Sequence, residues 1–234
     1  MPSPRQYTLA IERPYEQSLD KFVSGVNNEL VQALAHRQQA FAGHWIYGTQ
    51  GSGRSHLLRG SCLATQQRGQ DVAYVGCSDY LGDVDGLRAA LQHAQQLGET
   101  VAVDDIAAVA GNRALETLLM TVYQRLLSVQ GRLLVSHTQP AQTLQFVLPD
   151  LASRMRSLQH FQIQALADDE KVQVLRQRAQ NRGYELSQPV LDYWLSRGPR
   201  DLGALLTDLE TLDKASLAQH QKVTIPLLKQ VLGY

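Results

Sequence analysis

Apolar residues along the chain fall into two rhythms that take turns. Short unbroken runs, Trp45-Ile46-Tyr47, Val72-Ala73-Tyr74-Val75, Val101-Ala102-Val103 and Leu133-Leu134-Val135, read as strands, because a strand covered on both faces shows no polar alternation; Leu158 to Ile163, with polar residues between its apolar ones, reads as a fifth. Between them the apolar spacing becomes three and four, as in Leu30, Val31, Leu34 and in Leu115, Leu118, Leu119, Val122, Leu126, which marks one buried helix face. Helices are expected over 55–67, over 85–97 with Gly98 as its stop, and from Gly111-Asn112 to Val129 with Gly131 as its stop. Asn27 or Asn28 could cap the helix that ends near His36. Thr143 to Met155 reads as short helical pieces around Pro149. Strands and helices alternating at this spacing predict βαβ units, an α/β fold with a five-stranded parallel sheet.

From Asp168 the strand rhythm stops. One helix should end near Gly183, and three more should cover Pro189 to Leu195, Pro199 to Gln219 and Pro226 to Leu232, each opened by a proline in its first turn. A small all-helical domain over 166–234 is therefore expected after an α/β domain over 16–165. Residues 1–15 hold Pro2, Pro4 and Pro14 and no periodicity, so they are expected to form an extended arm. Inside that arm Gln6 is followed at three and five residues by Leu9 and Ile11.

Composition narrows the class. With 234 residues, 44% of them hydrophobic, the chain has material for one good core and a smaller second one. The 22 Lys and Arg offset the 22 Asp and Glu, which argues against direct sequence-specific DNA binding. Cys62 and Cys77 sit in apolar surroundings without metal-ligand spacing and read as small core residues. The start has no basic-then-apolar leader pattern, and no run approaches the ~18 apolar residues that span a bilayer. A soluble, cytoplasmic protein without a membrane partner is expected.

Candidate chemistry concentrates where strands give way to loops. Gly48-Thr49-Gln50-Gly51-Ser52-Gly53-Arg54-Ser55 follows one strand and opens one helix. Its glycines let backbone N–H groups curl inward, and the helix start adds unpaired donors, so the stretch should cradle phosphates. Ser55 stands where such a loop binds magnesium, and Arg54 stands where lysine is usual; a planar fork thus replaces a point charge. The strand ending in Asp104-Asp105 supplies the second signal, since ligands of open α/β sheets collect at strand carboxyl ends. Asp104 would help hold the magnesium, and Asp105 would orient an attacking water. Ser136 or His137, at the end of the next strand, could sense the terminal phosphate.

These motifs together resemble an AAA+ ATPase. Leu19-Asp20-Lys21-Phe22-Val23-Ser24-Gly25 with Asn28, Leu57-Leu58, Asp104-Asp105-Ile106, Leu151-Ala152-Ser153-Arg154 and Arg200-Asp201-Leu202 narrow the resemblance to the DnaA family. With the arginine in the loop and the glutamine-aliphatic hexapeptide Gln6-Tyr7-Thr8-Leu9-Ala10-Ile11, the chain is similar to the Hda family of DnaA-homologous regulators. The resemblance implies ADP or ATP, with magnesium, held by Gly48, Gly51, Ser52, Gly53, Arg54, Ser55 and His56 together with Phe22, Val23, Ser136 and Arg200. It implies magnesium at Ser55 and Asp104, and an arginine finger at Arg154 acting in trans on DnaA. Gln6, Leu9 and Ile11 would bind the β sliding clamp of DNA polymerase III, and homodimerisation is left open. The implied activity is stimulation of ATP hydrolysis by DnaA, which prevents re-initiation of replication. Intrinsic ATPase activity would be weak at most. Competing expectations are a helicase-loader or transposition-helper ATPase, or an autonomous P-loop NTPase.

Overall fold

The computed structural model describes residues 18–36, 40–97, 99–219 and 221–234. The arm expected at 1–15, with Gln6, Leu9 and Ile11, lies outside them, as does Gly98. The chain divides into two compact units: one holds Leu30–Gly48 and Arg54–Gln162 with the segment up to Phe22, the other Val23–Glu29, Thr49–Gly53 and Ile163–Tyr234.

The first unit is built on five parallel strands, β1 (Ala42–Tyr47), β2 (Val72–Gly76), β3 (Thr100–Asp104), β4 (Arg132–His137) and β5 (Gln159–Gln162). They lie in the order β2-β3-β4-β1-β5. The chain leaves β1 for the far edge and returns past it to β5, so the order reverses around β1, where open α/β sheets leave a crevice at the strand ends. Helix α1 (Asn28–Ala35) leads into β1, and α2 (Arg54–Gln67), α3 (Val84–Gln96), α4 (Arg113–Ser128) and α5 (Pro149–Arg156) connect the strands. Alternate strand residues serve opposite faces. Trp45, Val75, Val101, Val103, Leu133 and Val135 join Leu87 and Leu91 of α3 and Leu115, Leu119 and Leu126 of α4 in one buried cluster. Their sequence neighbours Ile46, Ala102 and Leu134 are equally buried, and α2 packs on β2, β3 and β4.

Local chemistry explains most boundaries. Asn112 caps α4, accepting from the N–H groups of Ala114 and Leu115 at 3.1 and 3.3 Å, and Asp83 caps α3 through Gly86 N–H. Asn27 does not spend its side chain on the start of α1. The Asn27 amide instead exchanges two hydrogen bonds with the backbone of Gln164, at 2.7 and 3.1 Å. Gly131 also plays another part than expected. The left-handed residue after α4 is Gln130, φ 54°, while a Cβ on Gly131 would stand 2.6 Å from the Glu99 carbonyl oxygen, so this glycine permits a close approach between two chain segments.

The second unit carries α6 (Asp168–Asn181), α7 (Gln188–Arg197), α8 (Leu202–Gln219) and α9 (Ile225–Leu232). Leu175, Leu191, Trp194, Leu205, Leu212 and Leu228 are among the residues of its separate core. Pro189 and Pro226 occupy the first turns of α7 and α9. Pro199 does not open a helix: α8 starts at Leu202, where the Asp201 carboxylate accepts from Ala204 N–H at 2.9 Å.

Candidate functional site

In the α/β unit the predicted residues gather at the carboxyl ends of β1, β3 and β4. Gly48 N–H donates to the His137 carbonyl at 3.3 Å, tying the start of the glycine loop to β4. Arg54, Ser55 and His56 form the first turn of α2, whose N–H groups have no intrahelical partner. The Arg54 guanidinium is nearly buried and sits 2.5 Å from the Asp105 carboxylate. Asp105 is left-handed, φ 55°, a strained conformation for a residue with a side chain.

A chain of hydroxyls runs across the sheet beside this pair. Tyr74 of β2 donates to Asp104 Oδ2 at 2.6 Å, Ser136 of β4 donates to Asp104 Oδ1, and Ser136 accepts from Asp105 N–H at 2.9 Å. Tyr74 and Ser136 reach Asp104 because all three face the α2 side of neighbouring strands. Burial, then the Asp104 charge, raises the Tyr74 phenol well above its usual pKa, so it stays a donor. Ser136, expected to face a terminal phosphate, is fully buried and spends its hydroxyl inside this network. His137 is the better-placed alternative, half-buried at the strand end. Burial, then Arg54, lowers its pKa against the opposing pull of Asp105.

Other predicted residues also meet. The Phe22 ring stands edge-on to His56 with centroids 5.5 Å apart, and a His56 ring nitrogen lies 2.9 Å from the Ser18 carbonyl oxygen. Arg154 is exposed on α5, its guanidinium 5.8 Å from the centre of the Tyr123 ring. Among the described residues no ion pair joins it to Asp150.

The helical unit holds the apex of the loop. Gly51 and Gly53 have φ of 77° and 99°, and a Cβ on Gly51 would lie 2.4 Å from Gly203 Cα, so only glycine fits there. The Ser52 hydroxyl is buried without a partner among the described residues, which suits a loop made to receive an anion. Val23 is half-buried in this unit. Arg200 is 80% exposed and reaches the Asp168 carboxylate at 3.4 Å. A hydrogen bond from Lys171, then the Lys171 and Arg200 charges, hold that carboxyl below its usual range. An exposed pair of this kind is weak, so Arg200 is free to exchange it for another anion.

No group of three His, Cys, Asp or Glu side chains among the described residues forms a metal cage. Magnesium arriving with a polyphosphate needs only one or two protein ligands. Ser55 and Asp104 fit that need, since each Asp104 oxygen keeps a second lone pair beside its hydroxyl donor. Two residues of this region were not singled out from sequence, Tyr74 and Arg59, whose guanidinium lies 5.0 Å over the Tyr74 ring, nor was the buried Glu116 of α4. Tyr74 and Glu116 stand inside runs that read as ordinary strand and helix. Only the pairing of strands brings Tyr74 to Asp104, and only the packing of helices brings Glu116 to the start of α5.

Residues 14–163 match the family model of the bacterial DnaA ATPase domain, and residues 168–232 match that of the Hda lid domain. Among solved structures, domain III of the Thermotoga maritima replication initiation protein DnaA is similar, with a TM-score of 0.78, 17% identity, and coverage of 94% of this chain and 96% of that one. AMPPCP-bound DnaA from Aquifex aeolicus gives a TM-score of 0.65 at 19% identity, covering 89% of this chain and 69% of that one. The Thermotoga maritima RuvB Holliday junction branch migration motor gives 0.65 at 17% identity, covering 93% and 71%. At these identities the structural likeness shows the fold, an AAA+ core with a five-stranded parallel sheet and a helical lid. With the first family model spanning more than half of its length, the chain belongs to the bacterial DnaA ATPase domain family, and its lid is of the Hda type.

Proposed function

We propose that this chain is a nucleotide-bound regulator of replication initiation, docking on the DNA polymerase III sliding clamp and stimulating ATP hydrolysis by DnaA in the cytoplasm. The observation that carries the reading is the 2.5 Å pair between Arg54 and Asp105. A self-sufficient ATPase aims the basic residue of its loop at the phosphates and an acidic residue at the attacking water; here those two groups neutralise each other. The output then has to be a contact with a partner.

The remaining residues divide the work. N–H groups of the glycine loop and of the first turn of α2 orient the phosphates of ADP or ATP, and a solved DnaA relative with AMPPCP bound supports an adenine nucleotide. Magnesium, when bound, neutralises phosphate charge, with Ser55 and Asp104 as the residues that would hold it. Phe22, Val23, His56, Ser136 and Arg200 are further nucleotide-binding residues on this reading. Gln6, Leu9 and Ile11 alternate along the arm, which suits an extended segment presenting one side to the clamp. Arg154, exposed and in no carboxylate pair among the described residues, acts on the nucleotide of DnaA. An arginine finger is worth ~10³–10⁵ in rate.

The test follows conversion of DnaA-bound ATP to ADP, with clamp-loaded DNA and the full chain present. Conversion should accelerate, and Arg154→Ala should abolish the acceleration while the variant still binds ADP and the clamp. Acceleration that persists in a folded Arg154→Ala variant would refute the proposal.

A further inference from the structure

We infer that Glu116 and Tyr123, two turns apart on one face of α4, are positioning residues that hold Arg154 where a nucleotide of another chain can reach it. The inference rests on the reading of Arg154 given above. Glu116 is fully buried, and its carboxylate accepts from three backbone N–H groups: Gly111 and Val147 on Oε1, at 2.8 and 2.9 Å, and Leu148 on Oε2, at 2.7 Å. Val147 and Leu148 are the last residues before α5. Leu148 is the N-cap of α5 and brings no side-chain acceptor of its own, so the acceptor that fixes where α5 begins is borrowed from α4.

Seven residues further along α4, the Tyr123 ring carries the Arg154 guanidinium and is itself held edge-on by Phe41, with centroids 5.1 Å apart. Leu151 and Met155 are fully buried in the core between these contacts, which stops α5 from rolling. One helix thus sets both the start of α5 and the direction of its exposed arginine. An arginine that stabilises charge on a phosphoryl group in another chain gains from that fixation, because misplacement by ~1 Å can cost ~10² in rate.

The experiment uses the full chain with ATP-loaded DnaA and clamp-loaded DNA, varying the concentration of this protein, and measures its own ADP binding alongside. Tyr123→Phe keeps the ring and should keep maximal stimulation within about twofold. Tyr123→Leu and Glu116→Gln should bind ADP as the parent does and be half-saturated at the parent concentration, yet lose maximal stimulation by about tenfold or more. If Arg154→Ala loses stimulation while Tyr123→Leu and Glu116→Gln keep it, the positioning inference alone is wrong. If Arg154→Ala keeps stimulation, the reading of Arg154 falls and the inference with it. Weakened ADP binding in both Tyr123→Leu and Glu116→Gln would assign these residues to general support of the fold and overturn the inference. Equal losses in Tyr123→Phe and Tyr123→Leu would overturn the ring contact as the cause.

Discussion

Arg54 shows how a single residue type reshapes a motif. A lysine ammonium is a point charge on a flexible stem, whereas a guanidinium is a fork that matches a carboxylate. Asp105, swung out of the strand by its left-handed backbone, offers that carboxylate. His44 shows the opposite case, a titratable group left without partners. Its two ring nitrogens are buried and unpartnered among the described residues, its ring stacks on Phe161 at 5.8 Å, and burial, then the Arg132 charge, lower its pKa to about 4. A histidine with a depressed folded-state pKa binds fewer protons folded than unfolded. Its contribution is complete above the unfolded value of ~6.5 and is lost as pH falls toward 4, at about 1.4 kcal/mol per pH unit and roughly 3 kcal/mol in all. Urea unfolding should therefore show the parent losing stability faster than His44→Phe between pH 6.5 and 4. Parallel pH profiles would contradict this.

At the scale of elements, the sheet divides polar work between its two ends. The carboxyl ends of the strands carry Asp104, Asp105 and Ser136, while the amino ends meet the carbonyl termini of helices, where cations are favoured. Arginines stand there: Arg132 donates to the carbonyls of Leu34 and Ala33 at the end of α1, both at 2.8 Å. Arg68 reaches Ala35 and Arg125 reaches Leu97. Arg132 is buried, and its two charged hydrogen bonds close the last turn of α1. Arg132→Ala should cost about 3 kcal/mol in urea unfolding, and a change under ~0.5 kcal/mol would show the contacts to be idle. None of these ties was legible in the sequence, because a lone arginine at a strand start reads as a solvated charge. The strands themselves, the glycine loop and the Asp104-Asp105 strand end were legible, because short apolar runs and glycine spacing depend only on near neighbours. Asn27 and Pro199 were misread where a distant partner, Gln164, or a competing cap, Asp201, decided the outcome.

At the scale of the whole molecule, two cores were foreseeable from length and from the loss of strand rhythm after Asp168, and each unit has its own set of buried leucines. Among the described residues no helix is long and apolar enough to cross a membrane. What the molecule does follows from a loop built for phosphates beside a basic residue committed to a carboxylate. On the function proposed above, nucleotide binding and nucleotide turnover are uncoupled in this chain. The most direct measurement gives the purified full chain magnesium with radiolabelled ATP and follows, in one sample, the label retained and the phosphate released. The account predicts retained nucleotide with phosphate release by the chain alone slow or absent. Rapid steady-state release by the chain alone, abolished by Asp104→Ala, would contradict it.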